Sequence, residues 1–373
     1  MKKRPPAVVI VLALAALALL LFVVLLLKLP RDSGQDDYYD ALSARQLNKL
    51  RSYTYNETRE LELCGKRILR LSSDQFVETA MDGTEVAHEN LNFNEVAWAK
   101  SESRIMIGDR RGSGRSAYLF NQDGLLWESP LDGSFAAAVD GGSFIAVVDQ
   151  PESGYPKLHL LNAADGVRKY TLSFAESGYI ADLSFTPGQK AIDVLLLNLK
   201  SSKLKVIIKR YDFNGGQMAQ FMPAEAQDFY HGLTHQGENL IIHSIDSLMA
   251  ISASSGEPLW TQKYAEIIDV QALGSKLYAI VREDPASPLQ LLSIAPDGST
   301  SELLKLTSTV QISERFGHYL AIAAGRELNI IDLQSASLRQ TVKLPDEAMS
   351  ISYDGASTLY LLTGTAVHEL PLR

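Results

Sequence analysis

A glycine returns about every forty residues along this chain, each time between two short apolar runs. It closes Tyr118-Leu-Phe-Asn-Gln-Asp-Gly124, Leu160-Leu-Asn-Ala-Ala-Asp-Gly166 and Lys209-Arg-Tyr-Asp-Phe-Asn-Gly215. It closes Ala250-Ile-Ser-Ala-Ser-Ser-Gly256 and Leu291-Leu-Ser-Ile-Ala-Pro-Asp-Gly298 in the same way, and Ile330-Ile-Asp-Leu-Gln-Ser-Ala336 has alanine where glycine is expected. An earlier copy ends at Gly83, and the intervals from there to Ala336 run between 38 and 49 residues. The flanking runs are rich in Ile, Val, Leu, Tyr and Phe, and Asp-Gly, Asn-Gly and Ser-Gly supply the positive φ of tight hairpins. A strand-built period near forty is the signature of a β-propeller with one four-stranded blade per repeat. A two-sheet sandwich would not hold a fixed spacing over so many turns, and helical solenoids lack the strand pattern.

Two further strands precede each hairpin. One repeat reads Phe135 to Val139, Phe144 to Val148, Leu158 to Leu161 and Val167 to Leu172. Another reads Ile267 to Ala272, Leu277 to Val281, Leu289 to Ile294 and Thr300 to Leu306. The last repeat has only three strands, Met349 to Tyr353, Leu359 to Thr363 and Ala366 to Leu370. A ring must close, because an open edge leaves unpaired backbone groups. A segment near Tyr53 to Leu63 is expected to supply the missing outer strand. The fold class is therefore all-β, with eight blades; seven follow if residues 67–80 are an added hairpin.

The first thirty residues are a different material. Ala7 to Leu27 is an unbroken apolar run between Lys2-Lys3-Arg4 and Lys28. At about 1.5 Å per residue it spans roughly 30 Å, the thickness of a bilayer core. It is longer than a signal peptide's apolar stretch and ends in bulky residues where a cleavage site needs small ones. Basic residues are retained inside, so the N-terminus is placed in the cytoplasm and the rest outside. The expected organisation is a cytoplasmic tail over 1–6, a transmembrane helix over 7–29, a stalk over 30–56 and an extracytoplasmic propeller over 57–373. Apolar positions at Tyr39, Leu42, Leu47 and Leu50 predict a short amphipathic helix in the stalk.

Charge and cysteine content narrow the function classes. The 373 residues carry a net charge of -9, and the first thirty hold four positive charges and no acid, which leaves -13 for the remainder. A domain that acidic is repelled by nucleic acid and by anionic lipid. One cysteine, Cys64, excludes a disulfide framework and a cysteine-built metal cluster. His231, His235 and His243 are the densest histidine group. In a strand, positions i and i+4 lie roughly 13 Å apart, too far to share one metal ion. Neither a metal nor a cofactor is expected.

Three long loops join second to third strands: Asp109 to Ser116, Asp149 to Pro156 and Glu283 to Pro288. They are expected to rise on one face of the ring, where binding usually sits. Arg110, Arg111 and Arg115 make the first the most arginine-dense loop of an acidic domain; Tyr155 and Asp284 complete the candidate binding face. Arginines of this kind grip a phosphate or carboxylate.

An aromatic follows several hairpin glycines: Trp127 after Gly124, Tyr170 after Gly166, Trp260 after Gly256. This pattern resembles the tryptophan-docking repeat of quinoprotein-type (PQQ-like) propellers, which implies that these residues lock adjacent blades. Gly256 with Trp260 matches best, Gly124 with Trp127 is one residue short, and Ser252 stands where those repeats often carry an acid. No Trp-Asp strand ending recurs, so WD-type repeats fit less well. Quinone-dependent dehydrogenases use a vicinal cysteine pair and a calcium site, and this chain has neither motif. The overall plan also resembles membrane-anchored bacterial propeller proteins of unknown function, which implies a fold and a location and no activity.

The sequence holds no catalytic motif. It is read as a non-enzymatic binding or scaffolding module for an envelope protein or cell-wall polymer. An enzyme or cofactor protein using the central channel is the alternative, and it requires convergent polar groups and perturbed carboxylates there. A ligand sensor coupled to a partner membrane protein is the other.

Overall fold

In each repeat the turn chemistry forces the chain back on itself three times, and the apolar residues between turns bury themselves against the next repeat. The computed structural model describes residues 43–46 and 60–372, apart from 72–73, 92, 102, 112–114, 153, 176–177, 200–203, 224–227 and 365. These residues form eight four-stranded antiparallel sheets. Seven are consecutive along the chain: blade 1 runs from Glu60 to Asn90, blade 2 from Val96 to Pro130, blade 3 from Ser134 to Ser173 and blade 4 from Tyr179 to Phe221. Blade 5 runs from Gly232 to Lys263, blade 6 from Glu266 to Leu306 and blade 7 from Val310 to Lys343. Residues 67–80 are the second and third strands of blade 1, so the count is eight and the seven-bladed alternative falls.

Blade 8 takes Ala348–Tyr353, Thr358–Thr363 and Ala366–Pro371 from the chain's end and its fourth strand, Ser43–Gln46, from near the beginning. Ser43 faces Glu369 and Gln46 faces Ala366 in an antiparallel register. The expectation of a closing strand from Tyr53 to Leu63 is thus corrected. Glu60–Cys64 is instead the first strand of blade 1, paired with Arg67–Leu71. Ser43–Gln46 also falls inside the stretch expected to be a helical stalk, and the compact unit begins at Ser43, not at residue 57. The predicted membrane helix over 7–29 lies outside the described residues. Among those described, no helix is long and apolar enough to cross a membrane.

The second strands are buried on both faces, as in Ala191–Asn198 and Lys276–Arg282. The core is therefore a series of layers between blades. Leu195 and Ile208 of blade 4, for example, pack on Leu240, Ile242 and Met249 of blade 5. Fourth strands such as Glu85–Asn90 are largely solvated.

Antiparallel order sets which loops share a face. Loops between strands 2 and 3, and between one blade and the next, emerge at one end, here called the loop face. Turns between strands 1 and 2, and between 3 and 4, emerge at the other, the turn face. Ser43 lies toward the turn-face end of its strand, because its partner Glu369 is the later part of a third strand.

At the turn face the aromatics form a chain of clasps. Trp127 of blade 2 lies on Gly166 of blade 3, where a Cβ would stand 2.6 Å from the indole, and its Nε1 donates to the Ala163 carbonyl at 3.0 Å. Tyr170 of blade 3 lies on Gly215 and its hydroxyl donates to the Asp212 carbonyl at 3.2 Å. Phe221 of blade 4 covers Gly256. Trp260 of blade 5 covers Gly298 and donates to the Pro296 carbonyl at 3.0 Å.

The alanine in the seventh repeat adopts the same backbone as the glycines it replaces, with φ of +52° at Ala336. An L-residue there is strained by about 1–2 kcal/mol. Ala336→Gly relieves that strain at a cost of about 0.5–1 kcal/mol in unfolded-chain entropy. The variant is expected to be more stable by up to about 1 kcal/mol in thermal or urea unfolding. An unchanged or lowered midpoint would contradict the strain argument.

Candidate functional site

On the loop face, Arg110 and Arg111 follow the second strand of blade 2 and both reach Glu95, at 3.7 and 3.0 Å. Arg115 reaches Glu152 of the adjoining loop at 3.7 Å, which joins the loop of blade 2 to that carrying exposed Tyr155. Asp284 sits three blades further on. Its carboxylate accepts the N–H groups of Ala286 and Ser287, at 2.9 and 3.1 Å. The Ser287 hydroxyl and these N–H groups hold its pKa below the usual carboxylate range. The structure thus brings Arg110, Arg111, Arg115 and Tyr155 into neighbouring loops and leaves Asp284 apart. The arginine charge is answered by Glu95 and Glu152, which weakens the anion grip that the sequence suggests.

The loop face has an apolar part as well. Phe229 and Ile245 are 61% and 71% exposed. They sit in the loops that open blade 5 and follow its second strand. Lys263 ties these loops together, lying 2.5 Å from Asp228 and 4.0 Å from Asp246, the residues next to Phe229 and Ile245. Tyr179, Leu199 and Ile268 add exposed apolar surface at the same end of blades 4 and 6. Large apolar side chains grouped at one end of a rigid frame are the kind of surface through which proteins associate. The sequence pattern does not reveal them, because each stands singly in a polar loop.

The channel is lined by the first strands, and it is polar. Lys100, at the end of the blade 2 first strand, lies 3.1 Å from Glu314 of blade 7 and 3.6 Å from Glu62 of blade 1. It also donates to the Ile351 carbonyl of blade 8. One ammonium thus joins four blades. Beside it Arg104 pairs with Asp140, its Nε donating at 2.7 Å. Carboxylates also link neighbouring first strands: Asp269 accepts from Ser313 at 2.6 Å, and Asp182 accepts the Leu233 N–H at 2.7 Å. Convergent polar groups are what an enzymatic channel requires; here Lys100 answers Glu62 and Glu314 and Arg104 answers Asp140, while Asp269 and Asp182 meet neutral donors. Cys64 lies close by. Burial chiefly pushes its thiol up to about 12, so it stays protonated and unreactive.

Between blades 4 and 5 a serine, a histidine and an aspartate align. Ser184 Oγ is 3.1 Å from His235 Nδ1, and His235 Nε2 is 2.8 Å from Asp193 Oδ2. Asp193 also receives Arg210 Nε and Nη2 at 2.9 and 2.8 Å. Burial alone would raise the Asp193 pKa; the His235 and Arg210 hydrogen bonds outweigh it and hold the carboxylate ionised. Asp193 is fully buried and His235 nearly so. The group is shut into a blade interface, away from the channel-mouth and turn-face cavities, so its chemistry serves cohesion.

His231 and His243 do not gather a metal set, whereas His159 stands beside two aspartates. His231 and His243 rings meet edge to face with centroids 5.1 Å apart, where Gly232 leaves room. Asp132, Asp149 and His159 place one ligand atom each within 4.8 Å of one another. Most of their polar atoms are already engaged, though Asp149 Oδ1 is buried without a hydrogen-bond partner. Asp149 Oδ2 accepts from the Asp132 N–H and lies 2.8 Å from His159 Nε2, and Lys157 holds Asp132 at 2.7 Å.

Two groups at the top of blades 4 and 5 titrate in opposite senses. Burial pushes His243 down to about 4, helped by His231. Burial pushes Asp182 up to about 6 against the Leu183 and Leu233 N–H groups. A neutral His243 favours the folded form above about 6.5, and that advantage is lost as pH falls toward 4. A protonated Asp182 favours the folded form below about 3.8, and that advantage is lost as pH rises toward 6. The two slopes oppose one another in the native chain. Asp182→Asn removes one of them. Relative to wild type, the variant is expected to lose up to about 3 kcal/mol of stability between pH 6.5 and 4. Parallel stability–pH curves for the two proteins would refute this.

Eight four-stranded sheets, interlocked at the turn face and carrying exposed apolar side chains at the loop face, define a β-propeller. The chain belongs to a family of unknown function, DUF5711, whose model matches residues 42–229 and so begins one residue before the closing strand. No curated protein matches the chain. Among solved structures it is similar to the computationally designed Ika8 protein, at 9% identity and a TM-score of 0.52, over 85% of this chain and 96% of that one. It is also similar to BamB from Moraxella catarrhalis, at 12% identity and a TM-score of 0.49, over 83% of this chain and 96% of that one. The Neurospora crassa Pan2 WD40 domain is similar at 14% identity and a TM-score of 0.49, over 75% of this chain and 89% of that one. At such identities the likeness is one of fold alone.

Proposed function

We propose that this chain is a membrane-anchored extracytoplasmic propeller acting as a non-catalytic binding or scaffolding module, and that it docks an envelope protein on its loop face. The observation that carries the docking is the pair Phe229 and Ile245, both more than half exposed, on two loops that Lys263 ties together. The acidic neighbours Asp228, Asp246, Glu266, Glu283 and Asp284 suit a partner surface that is apolar at its centre and basic around it. The clasps of Trp127, Tyr170 and Trp260 support grouping the ring with quinoprotein-type repeats. Residues 7–29 supply the anchor in this reading, on the strength of their length and flanking charge. The pairing of Lys100 and Arg104 with channel carboxylates and the closed setting of His235 favour binding over turnover.

The test is a double variant, Phe229→Ser with Ile245→Ser, in the full chain. It is expected to keep the wild-type melting temperature and lose the envelope protein that co-purifies with the wild type. Retention of the same partner by the variant would place the docking site elsewhere.

A further inference from the structure

The turn face carries a cleft of about 790 Å³ over blades 8, 1, 2 and 3. It runs into a second hollow of about 490 Å³ at the channel mouth, and the two share Ser103, Arg104 and Gly142. We infer that this cleft is a binding site for a neutral glycan chain.

The charge in the cleft is already matched. Arg104 is held by Asp140 and by the Gly142 carbonyl, the latter at 2.8 Å. Asp354 accepts the N–H groups of Ala356, Ser357 and Thr358 at 2.9 to 3.0 Å and lies 3.6 Å from Lys66. Among the described residues an ionic ligand finds no unmatched charged partner there. The remaining polar lining consists of amides and hydroxyls: Asn121, Gln122, Asn162, Ser103, Ser143 and Tyr353. Leu126, 41% exposed, offers a patch on which the apolar face of a sugar ring can rest.

A comparison among the blades points the same way. Asn121 and Asn162 are the last residues of the third strands in blades 2 and 3. Each caps its own turn through Oδ1, to the Asp123 N–H at 2.8 Å and the Ala164 N–H at 3.0 Å. In blades 4 and 7 the same place is held by Asp212 and Asp332, which cap Asn214 and Gln334 at the same distance of 2.8 Å. A carboxylate therefore does the turn's work equally well. Asparagine stands at this place in two blades that line the cleft, and aspartate in two that do not. What asparagine adds is an uncharged NH2 donor, with Oδ1 already committed to the turn. Such donors suit the hydroxyl, ring and acetamido oxygens of a sugar chain.

The experiment displays neutral oligosaccharides, including hexamers of glucose and of N-acetylglucosamine, to the full chain in detergent. Saturable binding is expected, unchanged between 50 and 500 mM salt. Asn121→Asp with Asn162→Asp keeps both turn caps and is expected to weaken binding at least tenfold with an unchanged melting temperature. Should that pair disturb the fold, Ser143→Trp, at an exposed position in the cleft, is expected to block the same binding. Failure to retain any neutral oligosaccharide overturns the inference. So does retention undiminished in the folded variants, or a preference for an acidic polymer that fades with salt. The loop-face double variant leaves this binding intact, so the two readings fail separately.

Discussion

A chain that begins at residue 57 is expected to lose the strand that ties the chain's beginning to its last blade. Such a chain keeps all of blade 1 and loses Ser43–Gln46, the outer strand of blade 8. The backbone groups of Ala366 to Glu369 that face this strand would then be open to water and to other chains. At about 0.5–1.5 kcal/mol for each net hydrogen bond, the loss amounts to roughly 2–5 kcal/mol. The free edge also invites strand pairing between molecules. A chain starting at residue 31 is the control. It is expected to be monomeric, with slow amide exchange across 366–371, whereas the shorter chain exchanges these amides quickly and associates. Equal melting temperatures and equal exchange for the two chains would show that the N-terminal strand does not close the ring. The practical consequence is that binding experiments on a fragment cut at residue 57 test a damaged surface.

The second large effect is at the buried group between blades 4 and 5. Asp193→Ala leaves Arg210 and His235 without their carboxylate, and breaking a buried pair of this kind costs about 3–5 kcal/mol. Ser184→Ala removes one hydrogen bond and is expected to cost only about 1 kcal/mol. Because Asp193 is held ionised in the fold, its contribution is present above the unfolded carboxylate range near pH 4 and is lost as pH falls through the lower folded value. Replacing both charged partners, Asp193→Leu with Arg210→Met, is expected to recover much of the loss. A serine hydrolase would behave differently: Ser184→Ala would abolish turnover with the fold intact. A small effect of Asp193→Ala on unfolding would remove the cohesive role assigned to this group.

The blades were legible in the sequence because their determinants are local. Turn glycines recur at a fixed interval, and second strands such as Leu277 to Val281 are apolar at every position. The predicted strands of blades 3 and 6 have ends within two residues of those observed. The closing strand was not legible, for an equally physical reason. Ser43-Ala-Arg-Gln46 contains one small apolar residue, and an outer strand of a blade, solvated along one side, needs no alternation. The apolar positions Tyr39, Leu42, Leu47 and Leu50, expected to form a helix, lie outside the described residues. The channel cluster was hidden by distance along the chain: Lys100 meets Glu314 across 214 residues. The arginine loop drew notice through its composition, but its partners Glu95 and Glu152 come from other loops. Phe229 and Ile245 gave no signal, since one apolar residue in a polar loop has no period.

The most direct measurement is site-specific photo-crosslinking in the cells that make this protein, with a photoreactive phenylalanine placed at one position at a time. Phe229 and Ile245 probe the loop face; Leu259, an exposed apolar residue on an outer strand, and Gln271, at the channel mouth, are the comparison sites. A discrete adduct with one protein from 229 and 245, and none from 259 or 271, is the predicted result. Adducts of equal yield from all four positions, or from the channel mouth alone, would contradict a loop-face docking module.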